Sequence, residues 1–144
     1  MSLETWKAEF YPTEPTKEMT PLEAAQHSLT KWQGATPTNC AKHGVEYGAH
    51  AITPSSLTRK WFDEFSFTGT TCALCEVFYD EDKYTCAPVE EPEDDPCFRC
   101  PLFTLGFGCN EPISPYEQSV DSPFVMIAAL EDVVVMLEQS SNGD

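Results

Sequence analysis

Residues 122–139 read SPFVMIAALEDVVVMLEQ, and this stretch carries the strongest helical signal in the chain. Ser122 is a typical capping residue, and Pro123 suits the first position of a helix. Large apolar residues then recur at the spacing of one helix face: Ile127, Leu130, Val134 and Leu137. Most other positions are also apolar, so we predict a core helix buried on more than one side, or a helix shared across a homodimer interface over residues 123–139.

A second helix is predicted upstream, between Thr20 and Gly34. Thr20 can cap it, Pro21 suits its first position, and Glu23 completes a capping box. The apolar residues of one face follow at helical spacing: Leu22, Ala25, Leu29 and Trp32. Gly34 is a typical helix stop.

A similar start at Thr53-Pro54 predicts a third helix. Leu57, Trp61 and Phe65 follow at four-residue spacing. We expect Trp61 to pack against Trp32, because aromatic residues at helical spacing usually belong to a core.

The segments around these helices show weaker patterns. Residues 1–19 are predicted to be an extended arm, anchored by Trp6, Phe10 and Tyr11, and residues 34–52 are predicted to be a loop with little regular structure. Residues 76–86 fit a short hairpin, although the run from Glu76 could equally continue a helical turn from Cys75.

These patterns predict one domain over residues 1–144. Its parts are the arm (1–19), a helical support (20–71), a cysteine-rich acidic region (72–121) and an apolar helix with a tail (122–144). The predicted fold class is mainly α with a small irregular or β zinc-knuckle region, which makes it a small, metal-stabilised α+β domain.

The charge is concentrated in one region. The chain carries 24 acidic and 8 basic residues, a formal net charge of −16. Residues 72–121 hold twelve acids against Lys83 and Arg99, a net charge of −10. So acidic a chain is a poor direct ligand for nucleic acid, because neutralising phosphates requires Lys and Arg.

The carboxylates of this region form a candidate binding surface. We predict that the following residues contact a basic partner: Asp80, Glu81, Asp82, Glu90, Glu91, Glu93, Asp94 and Asp95. The alternative is a solvent-exposed acidic loop whose charges serve only to increase solubility.

Six of the seven cysteines lie in the same region. Cys72-Ala-Leu-Cys75 and Cys97-Phe-Arg-Cys100 are two CxxC turns, and Cys109 follows them. Two such turns can supply four thiolates to one Zn²⁺, with Cys109 able to replace a member of the second turn. We therefore predict a structural zinc site. No His lies within residues 72–121, which disfavours a catalytic zinc.

Other uses of these cysteines stay open. An iron–sulfur cluster also binds four thiolates, and a CxxC turn can carry out redox chemistry in a suitable fold. Disulfides or free buried thiols are further alternatives. Cys40-Ala-Lys-His43 is a weaker constellation, with His50 nearby, for a second metal or a Cys–His nucleophile pair.

The order of these motifs resembles that of a group of small bacteriophage proteins. The shared features are Cys72-Ala-Leu-Cys75, then Cys97-x-x-Cys100-Pro101, then Cys109 and Ser114-Pro115-Tyr116. The helix containing Ala24, Ala25, Ser28, Lys31 and Trp32 is similar to their N-terminal helix. Cys86 and the acidic insert at 88–96 depart from the pattern. The resemblance implies a phage or prophage origin and a metal-bound cysteine knuckle, and it implies no activity.

Together these observations predict a non-enzymatic protein that binds and inhibits a basic host protein. Such an inhibitor could act as a DNA mimic or an anti-defence factor, since a groove selected for phosphate also attracts carboxylates. The alternatives are an iron–sulfur or redox protein and a dimeric structural accessory protein. No apolar run is long enough to span a bilayer, and the N-terminus lacks the pattern of a secretory signal peptide. We therefore expect the protein to be located in the host-cell cytoplasm.

Overall fold

The structure, a computed structural model, describes residues 2–54, 64–67, 71–78, 100–106, 114–120 and 122–142. Helices hold 61% of the described residues. They are α1 (Leu3–Phe10), α2 (Pro21–Gln33), α3 (Pro37–His43), α4 (Ala73–Phe78), α5 (Pro101–Thr104), α6 (Pro115–Gln118) and α7 (Phe124–Asn142). Strands β1 (Val45–Gly48), β2 (Ala51–Pro54) and β3 (Phe65–Ser66) form an antiparallel sheet in that order. The predicted class, mainly α with a small β component, is confirmed.

Helix α7 packs along α2 and forms much of the described core. Its inward side is buried and consists of Met126, Ala129, Leu130, Val133 and Val134. The predicted helix over 123–139 is confirmed, and it continues to Asn142. Burial on more than one side is wrong for the described part of the chain. Phe124, Val125 and Val135 face outward and remain exposed.

Helix α2 begins and ends where the sequence predicts. The Glu23 amide donates a hydrogen bond to Thr20 Oγ1 (3.1 Å), and the Thr20 amide donates one to Glu23 Oε1 (3.0 Å). Gly34 follows the last residue of the helix. The buried residues of α2 are Ala24, Ala25, Ser28, Lys31 and Trp32. A buried serine and a buried lysine require polar partners on that face.

The N-terminal segment is not the predicted extended arm, because residues 3–10 form α1. Ser2 caps this helix, and Thr5 takes the place of the usual Glu in a reciprocal capping box. Trp6 and Phe10 lie one turn apart on the buried face, as the anchoring role of the aromatic residues requires.

Residues 34–52 are predicted to be a loop with at most short structure, and the elements there are short but fill most of the segment. Thr36 caps α3, Pro37 is its first residue, and Gly44 ends it in the left-handed region with φ of 66°. The chain then forms the hairpin of β1 and β2, in which Val45 pairs with Pro54 and Gly48 with Ala51.

The third predicted helix is wrong at both of its described ends. Thr53 and Pro54 belong to β2, and Phe65 belongs to β3, where it pairs with Ile52. Leu57, Trp61 and the predicted contact of Trp61 with Trp32 lie outside the described residues.

Of the two possibilities for the run from Glu76, the helical turn is correct. Glu76 lies in α4, which ends at Phe78, so this run is not a hairpin strand. The rest of the proposed hairpin lies outside the described residues.

An aromatic cluster joins the helices to the sheet. Trp6 of α1 contacts Phe65 and Phe67, with ring centroids 5.3 Å and 6.0 Å apart. Trp32 of α2 contacts Phe67 edge-on at 4.7 Å and Tyr47 at 5.8 Å. Trp6, Trp32 and Phe67 are almost fully buried, so this cluster contributes a large share of the apolar burial.

Gly34 permits the close approach of α1 to the end of α2. A Cβ atom at this position would lie 2.5 Å from the Phe10 ring, although the backbone φ of −64° suits any residue. We therefore expect Gly34→Ala to lower the free energy of unfolding by about 1–3 kcal/mol, measured by urea denaturation. In Phe10→Ala, which removes the ring atom 2.5 Å away, the same substitution should cost less, and an equal cost in both backgrounds would contradict the steric cause.

The hairpin turn at Ala49 and His50 holds backbone strain. Both residues have positive φ, 51° and 57°, in a two-residue turn that usually contains Asn and Gly. The His50 ring stacks on the Tyr116 ring, with their centroids 4.1 Å apart, whereas Ala49 is exposed. We expect Ala49→Gly to raise the free energy of unfolding by about 0.5–1 kcal/mol. Ala8→Gly, in the exposed interior of α1, is the control and should lower it.

Candidate functional site

The described part of the candidate metal site is the turn from Cys72 to Cys75. Cys72 directly precedes α4, and its carbonyl accepts the first helical hydrogen bond from the Glu76 amide at 3.0 Å. The thiol and the backbone amide of Cys75 both donate hydrogen bonds to the Cys72 sulfur. The CxxC spacing thus brings the two sulfurs together at the beginning of a helix, as the sequence predicts.

Helix α2 supplies polar groups beneath this turn. Ser28 Oγ lies 3.9 Å from Cys72 Sγ. Lys31 is 1% exposed, and its Nζ donates a hydrogen bond to the Thr71 carbonyl at 3.1 Å. The same ammonium group lies 5.0 Å from the centre of the Phe67 ring. A buried positive charge is therefore fixed next to the cysteine turn by the packing of α2 against α4.

These contacts favour the thiolate of Cys72. The hydrogen bond from the Cys75 thiol, the charge of Lys31, the Cys75 amide and the Ser28 hydroxyl hold the pKa of Cys72 well below its usual range, although burial opposes them. Burial, together with the charges of Glu14, Cys72 and Glu76, raises the pKa of Tyr11. The thiolate is the form of cysteine that binds metals and attacks electrophiles.

The lowered pKa of Cys72 makes stability depend on pH. A thiol whose pKa is lower in the folded chain stabilises it above the unfolded pKa of about 8.5, and this contribution is lost as the pH falls through the folded pKa. In the reduced, metal-free protein, we expect the wild type to gain unfolding free energy relative to Cys72→Ser as the pH rises from the folded to the unfolded pKa of Cys72. Denaturation at a series of pH values measures this difference.

Cys40 provides the matched control for that measurement. Burial, together with the charge of Glu46, raises the pKa of Cys40 to about 11, so it stays a thiol in the folded chain throughout this window. The unfolding free energy of Cys40→Ser should therefore still rise with pH relative to that of Cys72→Ser, as it does in the wild type. A flat difference between the wild type and Cys72→Ser would contradict the thiolate assignment.

The other predicted metal ligands are only partly described. Cys100 is buried in the core and directly precedes α5, and its side chain does not cap that helix. Cys97 and Cys109 lie outside the described residues. Within the described ranges, no three His, Cys, Asp or Glu side chains form a group able to hold a metal ion. A four-thiolate site would therefore need ligands beyond these ranges.

The predicted acidic surface also lies outside the described residues. This holds for all of its members: Asp80, Glu81, Asp82, Glu90, Glu91, Glu93, Asp94 and Asp95.

Cys40 and His43 do not pair with each other. The Cys40 thiol donates to the Gly34 carbonyl at 3.5 Å. His43 contacts Thr5 through Nδ1 at 2.9 Å and Glu9 through Nε2 at 2.7 Å, which ties α3 to α1. The Cys–His nucleophile pair is therefore wrong, and both side chains have structural contacts.

Lys31 and Ser28 are the site residues that our prediction from the sequence missed, although a signal for both exists. Ser28 and Lys31 continue the buried face of α2 from Ala24 at four- and three-residue spacing, and a lysine in such a position implies a buried anionic or carbonyl partner.

No family model, curated protein or solved structure matches the chain. None of the helices in the described ranges is long and apolar enough to cross a bilayer.

Proposed function

We propose that the chain is a zinc-stabilised, non-enzymatic phage accessory protein that binds and inhibits a basic, nucleic-acid-binding protein of the host. The observation that carries the proposal is the contact between the Cys72 and Cys75 sulfurs, with Cys72 favoured as the thiolate, within the same region that holds a net charge of −10. A metal site there would anchor the segment that carries most of the negative charge.

The donor set at the turn fits zinc. Two sulfurs are held together, and one of them is favoured as the thiolate, so little proton release opposes binding at this ligand. Zinc with four thiolates has a net charge of −2, and the buried Lys31 offsets part of it. Cys72 and Cys75 would hold the ion with two further thiolates, for which Cys97 and Cys109 are the candidates, because Cys72, Cys75 and Cys100 do not form a metal-binding group in the described structure. The ion would supply a cross-link between distant parts of the chain.

The acidic residues supply the proposed binding energy through electrostatic complementarity. A basic groove that binds phosphate attracts a carboxylate array, and long-range steering raises the association rate. Ordering a free loop costs conformational entropy, so the array gains affinity when flanking ligands restrict it. Metal binding and partner binding are therefore expected to be linked.

The test compares two variants with equal changes in net charge. One replaces the five acids at Glu90, Glu91, Glu93, Asp94 and Asp95 with their amides. The control replaces five exposed acids elsewhere: Glu4, Glu14, Glu18, Glu46 and Glu64. A partner is first identified by capture from host lysate, and the same sample is analysed for metal.

We expect the first variant to bind the identified partner at least about tenfold more weakly at low salt, and the control to change affinity by about twofold or less. Equal binding by both variants would contradict the acidic surface.

A dithiol redox protein is a second candidate, favoured by the contact between the Cys72 thiolate and the Cys75 thiol. Oxidation would join the two sulfurs as a disulfide. Two electrons would pass to an external oxidant of thiols, and the Cys75 proton would pass to solvent. Reversible cycling of this pair in a metal-free chain would support this candidate. A visible absorption band would instead indicate an iron–sulfur cluster.

A further inference from the structure

The outward face of α7 is an exposed apolar surface on an acidic helix. Phe124, Val125 and Val135 are 56%, 40% and 51% exposed, and Ala128 is also exposed. Isolated apolar side chains at a surface are common, but a set on one helix face is typical of an interaction site.

The helical geometry aligns these side chains. At about 100° per residue, Phe124, Ala128 and Val135 fall within about 40° of one another around the axis, on the side opposite the buried Val133. Their extent along the helix is about 16 Å, or three turns. We call these three residues the α7 stripe.

Carboxylates flank the α7 stripe on both sides. Glu131 and Glu138 lie along one edge of it, Asp132 lies along the other, and all three are exposed. Residues 114–142 contain five acidic residues and no Lys, Arg or His. A second copy packed on this face would bring carboxylates against carboxylates, which is unfavourable in a dry interface.

We infer that the α7 stripe and its flanking carboxylates bind an amphipathic basic helix of the partner protein. Such a helix presents an apolar strip with Lys or Arg on each side, which complements an apolar strip flanked by Glu and Asp. The 19 residues of α7 offer about 28 Å for such side-by-side packing. The inference rests on the proposed function, since it assumes a basic partner, and it adds where and in which form that partner binds.

The test uses two synthetic peptides of identical Leu and Lys composition. In one peptide the leucines follow helical spacing, and in the other the order is shuffled so that no apolar face forms. Fluorescence anisotropy measures the affinity of each peptide for the full chain at low and at physiological salt.

Two single substitutions separate the α7 stripe from general charge effects. Val135→Lys adds a positive charge to the stripe, and Ala8→Lys adds the same charge to an exposed position of α1. We expect the patterned peptide to bind about tenfold more tightly than the shuffled one. Val135→Lys should remove this preference, whereas Ala8→Lys should change it by about twofold or less.

Several results would overturn the inference. Equal binding of both peptides, lost when the acids at residues 90–95 are amidated, would leave the proposed function intact but place binding elsewhere. Retention of the preference in Val135→Lys would exclude the stripe. A dimeric mass in solution that becomes monomeric in Val135→Lys would show that a second copy covers this face. Failure of the proposed function is detected separately, by unchanged binding of the identified host partner after amidation.

Discussion

Replacing Trp6 with alanine is expected to lower the free energy of unfolding by about 3–5 kcal/mol. The side chain is fully buried, and its Nε1 donates a 2.8 Å hydrogen bond to the Gly34 carbonyl. Its ring also contacts Phe10, Phe65 and Phe67, so the substitution leaves a cavity where α1 meets the sheet. Domains of this size have only about 5–15 kcal/mol of stability, so the loss should be visible as a large shift in urea denaturation.

Two further substitutions identify the source of that loss. Trp6→Phe keeps most of the apolar volume but removes the donor to Gly34, and it should cost less than Trp6→Ala. Phe124→Ala removes an aromatic ring from an exposed position of α7 and should change stability by about 0.5 kcal/mol or less. A similar loss for Phe124→Ala and Trp6→Ala would contradict the assignment of the core.

Local signals predict α2 better than the shorter helices. Helix α2 combines a cap, a first-turn proline, a capping box and a periodic face, and both of its ends are predicted correctly. Helix α3 has a cap and proline at Thr36 and Pro37, but it is only seven residues long and lacks a periodic face. Short helices depend on tertiary packing more than on propensity, so the same cap signal carries less weight there.

Patterns fail where distant residues decide the local structure. Phe65 is spaced to continue a helix from Trp61, yet it forms a strand pair with Ile52 and contacts Trp6. Short aromatic runs fit a strand and a buried helix almost equally, and the partner across the sheet decides between them.

The candidate site likewise has one part that the sequence predicts and one part that depends on the fold. The contact between Cys72 and Cys75 follows from their spacing, because two intervening residues form one tight turn. The positions of Lys31 and Ser28 beneath Cys72 depend on how α2 packs against α4, which a single sequence does not specify. Their effect on the pKa of Cys72 is therefore information that the fold adds.

Removing zinc is expected to have the largest effect on the region around Cys72. Structural zinc in small sites supplies folding free energy on the order of 10 kcal/mol, and α4 has only six residues with which to hold its position. We expect the purified chain to contain one zinc per molecule, measured by native mass spectrometry. Adding a chelator should release the ion and lower the thermal unfolding temperature.

Cysteine variants provide the control for zinc removal. Cys72→Ser should abolish stoichiometric zinc binding and the response to the chelator. Cys40→Ser should keep both, because the Cys40 thiol is buried against Gly34, with its pKa raised to about 11. If the wild type carries no metal and the chelator leaves its unfolding temperature unchanged, the zinc proposal is wrong. The Cys72–Cys75 pair would then be better explained as a redox dithiol, because its lowered thiol pKa needs no metal.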